Sequence, residues 1–402
     1  MLSEPFLQAE PIMITLEERG YESFLVGGAV RDFFANRPIG DIDIATNATP
    51  EEVQRIFPRT VPVGIDHGTI LVLHNGFSFE ITTYRTEGEY DDYRHPSDVS
   101  FVKDIKLDLS RRDFTINAIA MDRHGNVLDP FDGKIDLENQ IIKTVGSPNE
   151  RFSEDPLRML RGVRFVSQLG FQMDSDTEQA IKQLHRLLQR ISVERITDEI
   201  SKLFTHHYIN SALNIVSVTN MDRSLPIFDE QEHLFEKLKT IKFHESLNHA
   251  GIMFAIFHLL DPNISVQKWI KTYKVSNRIR RKALHLINNY NDYQEKGLTK
   301  PVIYSIGKDH LYDFYQLIGL LDLVNLKFNV LLDSYEHLPI KSRDDLVING
   351  QDFINWFPNE KKGKWIGDYL DQIEKLIITE ELRNNRDEIE SRVREWKARE
   401  RG

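Results

Sequence analysis

Residues 26–46 read Val26-Gly27-Gly28-Ala29-Val30-Arg31-Asp32 and then, past Phe33, Phe34 and the breakers Pro38 and Gly40, Asp41-Ile42-Asp43-Ile44-Ala45-Thr46. The glycine pair is a turn that lets backbone approach a ligand closely, and the short helix after it offers unpaired N–H groups to a phosphate. In a strand, side chains alternate faces, so Asp41 and Asp43 point the same way and form a carboxylate pair able to share Mg²⁺. Taken singly, such an Asp pair is usually a solvated strand end and a Gly-Gly usually a plain turn. Their order and spacing point instead to a nucleoside triphosphate and metal site.

The rest of the chain bounds the class. With 402 residues and 40% hydrophobic content, two or more globular domains are expected. No cysteine is present, which excludes disulfides and cysteine-based zinc sites and makes a cytoplasmic location the default. Met1 to Pro5 lack a basic segment followed by an apolar one, so a soluble, unprocessed protein without membrane spans is expected. A net charge of −11 argues against indiscriminate nucleic-acid coating. Two basic stretches stand out, Lys268, Lys271, Lys274, Arg278, Arg280, Arg281 and Lys282, and a run of arginines from Arg383 to Arg401. They suit a defined polyanion, or, for the C-terminal run, a solvated helix face laced with Glu.

Secondary-structure patterning changes near residue 150. Before it come short β-branched and aromatic runs at Phe24–Val26, Asp41–Ala45, Thr69–Leu73, Phe77–Tyr84, Ala118–Met121 and Ile141–Thr144, with helices predicted at 4–19, 29–36 and 50–56. After Ser153 the pattern is helical. The fold class expected is therefore α+β, a small mixed α/β head followed by an all-helical remainder.

Three further segments carry candidate chemistry. Residues 77–85 alternate as a strand beside the Asp41/Asp43 strand, so Glu80 is either a third metal carboxylate or an exposed strand residue. Ser110-Arg111-Arg112-Asp113-Phe114 reads as a capped helix start, with Arg112 suited to triphosphate oxygens or a sugar and Asp113 to orienting Arg112 or facing the ribose. Ser153-Glu154-Asp155-Pro156-Leu157-Arg158 reads as a helix opening capped by Ser153. There Asp155, Arg158, Arg161 and Arg164 recur every third residue as one ridge, and Leu157, Leu160 and Val163 as the next.

Asp155 beside Arg158 would place an acceptor next to a donor fork. Cytosine and adenine each show an amino donor beside a ring-nitrogen acceptor, whereas guanine and uracil show the reverse. The pair would therefore accept C and A and reject G and U. Arg161 and Arg164 would hold phosphates or fix the rotamers of that pair; an amphipathic helix with surface ion pairs is the plainer reading.

Taken together these motifs resemble the class II tRNA nucleotidyltransferases of the polymerase-β superfamily, the CCA-adding enzymes. The first motif is 27–32 with Asp41 and Asp43, the second Arg111 to Ala118, the third Asp129-Pro130-Phe131-Asp132-Gly133, the fourth Glu154 to Arg158, and the fifth Arg190 to Ile196. The resemblance implies a seahorse-like molecule with a catalytic nucleotidyltransferase head at 1–146, a nucleotide-selecting neck at 147–205, a body at 206–290 and a tRNA-binding tail at 291–402. It implies untemplated addition of C, C and A to the tRNA 3′ end from CTP and ATP, with the tRNA elbow as a further contact and a homodimer as a compatible state. Two Mg²⁺ ions would be held by Asp41 and Asp43, one activating the primer 3′-hydroxyl and the other neutralising pyrophosphate.

By the same resemblance Gly28, Arg31, Arg112, Asp155, Arg158, Arg161 and Arg164 would contact the incoming nucleotide, with Gly27, Asp113, Glu154, Glu194 and Arg195 in support. Residues 85–96, containing Glu87, Asp91, Asp92 and Arg94, resemble the flexible loop of enzymes that add all three nucleotides. Residues 347–368 resemble a tail element in which Lys362-Gly363 replaces the usual Pro-Gly. The alternatives are a poly(A) polymerase, an A-adding or CC-adding enzyme, and a non-catalytic RNA-binding module. No His-Asp dipeptide occurs, so no second, hydrolytic activity is assigned.

Overall fold

A computed structural model describes residues 6–64, 68–88, 99–322 and 326–401. The chain divides into two compact units, 1–246 with 272–274, and 247–271 with 275–402. Among the described residues no helix is long and apolar enough to cross a membrane.

The first unit is built on a seven-stranded mixed sheet of order β3-β4-β5-β2-β1-β8-β9. Its strands are β1 (Ser23–Val26), β2 (Asp43–Thr46), β3 (Thr60–Gly64), β4 (Thr69–His74), β5 (Phe77–Thr83), β8 (Ala120–Met121) and β9 (Val127–Leu128). A separate pair, β6 (Arg85–Glu87) and β7 (Val99–Phe101), is antiparallel, and β10 (Ile141–Ile142) with β11 (Gln172–Met173) is parallel. Alternation decides what each face buries. Leu25, Ile44, Phe79 and Ile81 join one core with Ile12, Met13, Leu16 and Phe165. Val26, Ala45 and Ala120 join another with Tyr84, Ile105, Leu109 and Val145. Proline at 62 donates nothing to a ladder, and β3 accordingly lies at the sheet edge, where sequence patterning did not anticipate a strand.

The helices of this unit are α1 (Glu10–Glu18), α2 (Gly28–Phe34), α3 (Pro50–Ile56), α4 (Ile105–Ser110), α5 (Gly133–Glu138), α6 (Pro148–Glu154), α7 (Leu157–Leu169), α8 (Ser175–Leu184), α9 (Val193–Phe204), α10 (Ile209–Val218) and α11 (Glu232–Thr240). Thr49 and Glu52 close a capping box on α3, with Pro50 pre-set for its first turn.

Two predicted helix starts are corrected. Ser110 ends α4, whose cap is Asp104 accepting from the Lys106 N–H. Ser153 lies inside α6, and the chain breaks at Asp155, which is extended at φ −134° and ψ 97°. The cause is Pro156, whose ring disfavours the helical region for the residue before it. Asp155 therefore stands off the α7 ridge that carries Arg158, Arg161 and Arg164.

The second unit is helical: α12 (Ala250–Leu260), α13 (Val266–Thr272), α14 (Asn277–Lys296), α15 (Lys300–Ile306), α16 (Leu311–Leu321), α17 (Phe328–Glu336), α18 (Gly350–Trp356), α19 (Trp365–Ile378) and α20 (Arg386–Arg401). Phe353, Tyr369, Ile373, Ile377, Ile389 and Val393 form a core under its C-terminal part. Lys362-Gly363 precedes α19, and the Trp365 indole N–H there donates to the Lys361 carbonyl.

Candidate active site

A cleft of about 600 Å³ opens in the first unit, lined among others by Gly27, Gly28, Arg31, Asp43, Glu80, Arg112, Asp113, Asp155, Arg158, Arg161 and Arg164. Asp43 opens β2, and parallel pairing with β5 sets it opposite Glu80. The strand expected from Asp41 begins only at Asp43: Asp41 is exposed in the bend before β2 and is not among the residues lining the cleft, whereas Asp43 is half-buried and lines it. Burial, then Glu80, pushes the Asp43 carboxyl up to about 6; Arg112 opposes the rise and Asp41 adds to it. Among the described residues no three His, Cys, Asp or Glu side chains are arranged to enclose a metal ion.

Gly27 sits at φ +71°, and a Cβ there would lie 3.2 Å from Asp43 Oδ2 and 3.3 Å from Arg112 Nη1. Backbone conformation and close approach both require glycine. Arg112 is held by Asp108 at 3.2 Å and donates to the Asn117 carbonyl at 3.3 Å. Asp108 is almost fully buried and also receives two donors from Arg111, at 3.0 and 2.8 Å.

Of the two roles expected of Asp113, orienting Arg112 or facing the ribose, the first is not what its bonds serve: it accepts from Arg161 Nε at 2.9 Å and Nη2 at 2.7 Å. Burial alone would raise its carboxyl, but Arg161 and the Asn117 amide outweigh burial and hold it well below the usual carboxylate range. Asn117 also accepts from Arg31 at 2.9 Å, while Asp32 takes two more Arg31 donors. Arg164 donates to Glu199 at 2.6 Å, and Glu199 lies 3.8 Å from Arg161. The guanidinium groups of Arg31, Arg161 and Arg164 converge on the Phe165 ring, 5.2, 5.7 and 4.1 Å from its centroid. Burial, and then Arg164, Arg37, His207 and Arg31 nearby, holds His206, which is not among the residues lining the cleft, down at about 4.

Asp155 and Arg158 are each held by a third party. Asp155 Oδ2 accepts from Arg195 Nη2 at 2.8 Å, and its Oδ1 from the Leu157 N–H at 3.1 Å. Arg158 donates to Glu154 at 2.7 Å and to the Arg111 carbonyl at 3.2 Å. Glu194 is outside the cleft and pairs with Lys274 at 2.6 Å. Of the loop residues, Asp91, Asp92 and Arg94 lie outside the described residues, and Glu87 is placed only as part of β6.

Sequence reasoning missed Asp108, Asn117, Glu199 and Phe165. Two of them carried a signal: Glu199 lies in the α9 stripe Ile196, Ile200, Leu203, and Asp108 between Ile105 and Leu109 on α4, acids on apolar faces. An acid so placed calls for a cation partner.

Family models match the chain in three segments: "Poly A polymerase head domain" over residues 23–143, "Probable RNA and SrmB- binding site of polymerase A" over 170–221, and tRNA nucleotidyltransferase domain 2 over 246–393. The CCA-adding enzyme of Oceanobacillus iheyensis is 43% identical, covering 98% of each chain. That of Bacillus licheniformis is 40% identical over 98% of each. The crystal structure of the Bacillus stearothermophilus CCA-adding enzyme in complex with CTP superposes with a TM-score of 0.86 at 35% identity, over 100% of both chains.

Proposed function

The chain belongs to the CCA-adding enzyme family, and on that premise we propose that it adds C, C and A in turn to the 3′ end of tRNA, taking CTP and ATP and releasing pyrophosphate. The observation that carries this reading is the convergence, in one cleft, of Asp43 and Glu80, a glycine turn, and the Asp155 and Arg158 side chains. The primer 3′-oxygen attacks the α-phosphorus, the bond to the β-phosphate oxygen breaks, and pyrophosphate leaves.

In this reading Asp41 and Asp43, with Glu80 as a candidate third ligand, hold divalent cations, two Mg²⁺ ions in the fullest form of the proposal. The donor set suits it. Hard carboxylate oxygens match Mg²⁺, which is ordinarily held by one or two carboxylates plus substrate phosphates rather than by an all-protein cage. Burial, and after it repulsion from Glu80, raises the Asp43 carboxyl, and a bound cation would offset both. Bound there, the metal supplies charge neutralisation of the reacting phosphoryl group.

The protein's own residues do the remaining work. Arg112 and Arg31, fixed by Asp108, Asp32 and Asn117, receive triphosphate oxygens. Asp155 and Arg158 offer an acceptor and donors to the Watson–Crick edge of C or A, and Arg195 and Glu154 hold them still. Arg161 and Arg164, locked by Asp113 and Glu199, keep the α7 ridge in one rotamer. Residues 147–205 act as the selecting neck, with 206–290 and 291–402 as body and tRNA-gripping tail, in a cytoplasmic protein.

The test is to incubate the chain with Mg²⁺, single labelled nucleotides, and tRNAs ending before, within or after CCA. Incorporation of CTP onto the discriminator base, and of ATP only after CC, supports the proposal. Processive A-tails indicate poly(A) synthesis, and absence of transfer indicates a binding module.

A further inference from the structure

The second unit contains a cavity of about 650 Å³ that shares no residue with the nucleotide cleft, lined by Asn248, His249, Arg278, Arg281, Lys282, His285 and His310. Three elements build it. On α14, Arg278, Arg281, Lys282 and His285 follow i, i+3, i+4, i+7 spacing and share one face. His249 caps α12, accepting from the Gly251 N–H at 2.9 Å, and His310 immediately precedes α16. Gly251 sets the distance between α12 and α14, since a Cβ there would lie 2.5 Å from Lys282 Cγ.

The charge is one-sided. None of the described residues that line the cavity is acidic; the nearby Asp313 is nearly fully buried and engaged by two of the lining side chains, Lys282 and, at 2.6 Å, the Asn248 amide. Arg281 makes a bond from its Nε to the Asn277 carbonyl, and among the described residues neither it nor Arg278 has a carboxylate at ion-pair distance. Burial, then Lys282, lowers both His249 and His310; Asp313 opposes the shift on each, Arg278 adds to it on the first and His285 on the second, where Asp309 also opposes.

We infer that this cavity is a second phosphate-binding site, in which the Arg278 and Arg281 guanidinium groups receive one phosphate group; the rings beside them are already engaged at one nitrogen each, His249 Nδ1 by the Gly251 N–H, His310 Nδ1 by Lys282 and His285 Nε2 by the Ile306 carbonyl. Guanidinium forks match phosphate oxygens, and a concave basic pocket holds a compact anion better than a flat stripe does. Two sources present that chemistry, the backbone of an RNA and a free inorganic anion.

The experiment uses the full chain and the double variant Arg278→Ala/Arg281→Ala, with Arg280→Ala as a control of equal charge type outside the cavity. Both mutated arginines are exposed, and circular dichroism checks the fold. Inorganic phosphate is titrated calorimetrically, and labelled tRNA lacking CCA is bound on filters across a range of salt. The double variant is expected to lose one phosphate-binding equivalent or to bind tRNA about tenfold more weakly, with a salt slope reduced by about 2. A loss in the tRNA arm identifies the RNA backbone as the source, and a loss confined to phosphate identifies the free anion. If the double variant matches Arg280→Ala in both arms, the proposal fails, whatever the outcome of CTP and ATP incorporation at the other site.

Discussion

Asp43 and Glu80 are register partners on neighbouring parallel strands, so the fold itself sets two carboxylates side by side at the mouth of a basic cleft. Burial, and then the proximity of Glu80, raises the Asp43 carboxyl to about 6. Between its unfolded value near 4 and that value, the native state binds the proton more tightly than the unfolded chain does. Stability from this group is therefore present at low pH and is lost as pH rises from about 4 to 6.

Asp43→Asn removes that penalty. In EDTA at pH 7.5 the variant should be more stable than the parent by about 1–2 kcal/mol, discounted for partial exposure, and no more stable at pH 4. Scanning calorimetry at the two pH values checks it. Added Mg²⁺ should raise the parent's melting temperature and leave the variant's unchanged. Because proton and cation compete for Asp43, transfer by the parent at limiting Mg²⁺ should decline as pH falls, and the midpoint of that decline should move to lower pH as Mg²⁺ is raised.

Gly27→Ala forces a methyl group between Asp43 and Arg112 in a backbone region that L-residues avoid. It should cost about 1–3 kcal/mol of stability and lower nucleotide transfer more than tenfold. Urea denaturation and initial rates with CTP measure the two effects; full activity would mean that the turn does not position the carboxylate.

Arg195→Ala releases Asp155 while leaving every residue proposed to contact the nucleotide in place. A charge-assisted bond of this kind is worth about 1.5–3 kcal/mol, so kcat/KM for CTP should fall roughly 10- to 100-fold. UTP misincorporation should rise relative to CTP. Equal losses for all four nucleotides would show that Asp155 is not a selector.

Glu199→Gln leaves Arg164, and in part Arg161, without their buried counter-charge. Breaking such a pair costs about 3 kcal/mol, visible as a lower urea midpoint. Because Arg161 keeps Asp113, the KM for the triphosphate should rise less than in Asp113→Asn. The reverse order would place the anchor of the ridge at Glu199.

What was legible in the sequence was whatever local chemistry writes down. The Gly27-Gly28 turn and the strand that carries Asp43 are readable within twenty residues, and so is the change from strands to helices near 150, whereas Asp41 falls in the bend before that strand. Contacts made at long range were not. Glu199 is 35 residues from Arg164, and Asn117 is 86 from Arg31, so no local pattern pairs them. The break at Asp155 was legible in Pro156 but was overridden there by helix-start signals in the same stretch. Its consequence is chemical: Asp155 is steered by Arg195 from α9, not by its neighbours on one ridge.

The most direct test of the account is single-turnover CTP transfer to tRNA lacking CCA by Asp41→Ala and Asp43→Ala, with tRNA affinity measured on the same preparations. The account predicts that transfer is abolished in both while tRNA binding stays near the parent's. A rate within about tenfold of the parent in either variant would contradict it, because removing ligands essential for a reaction of this type costs orders of magnitude more.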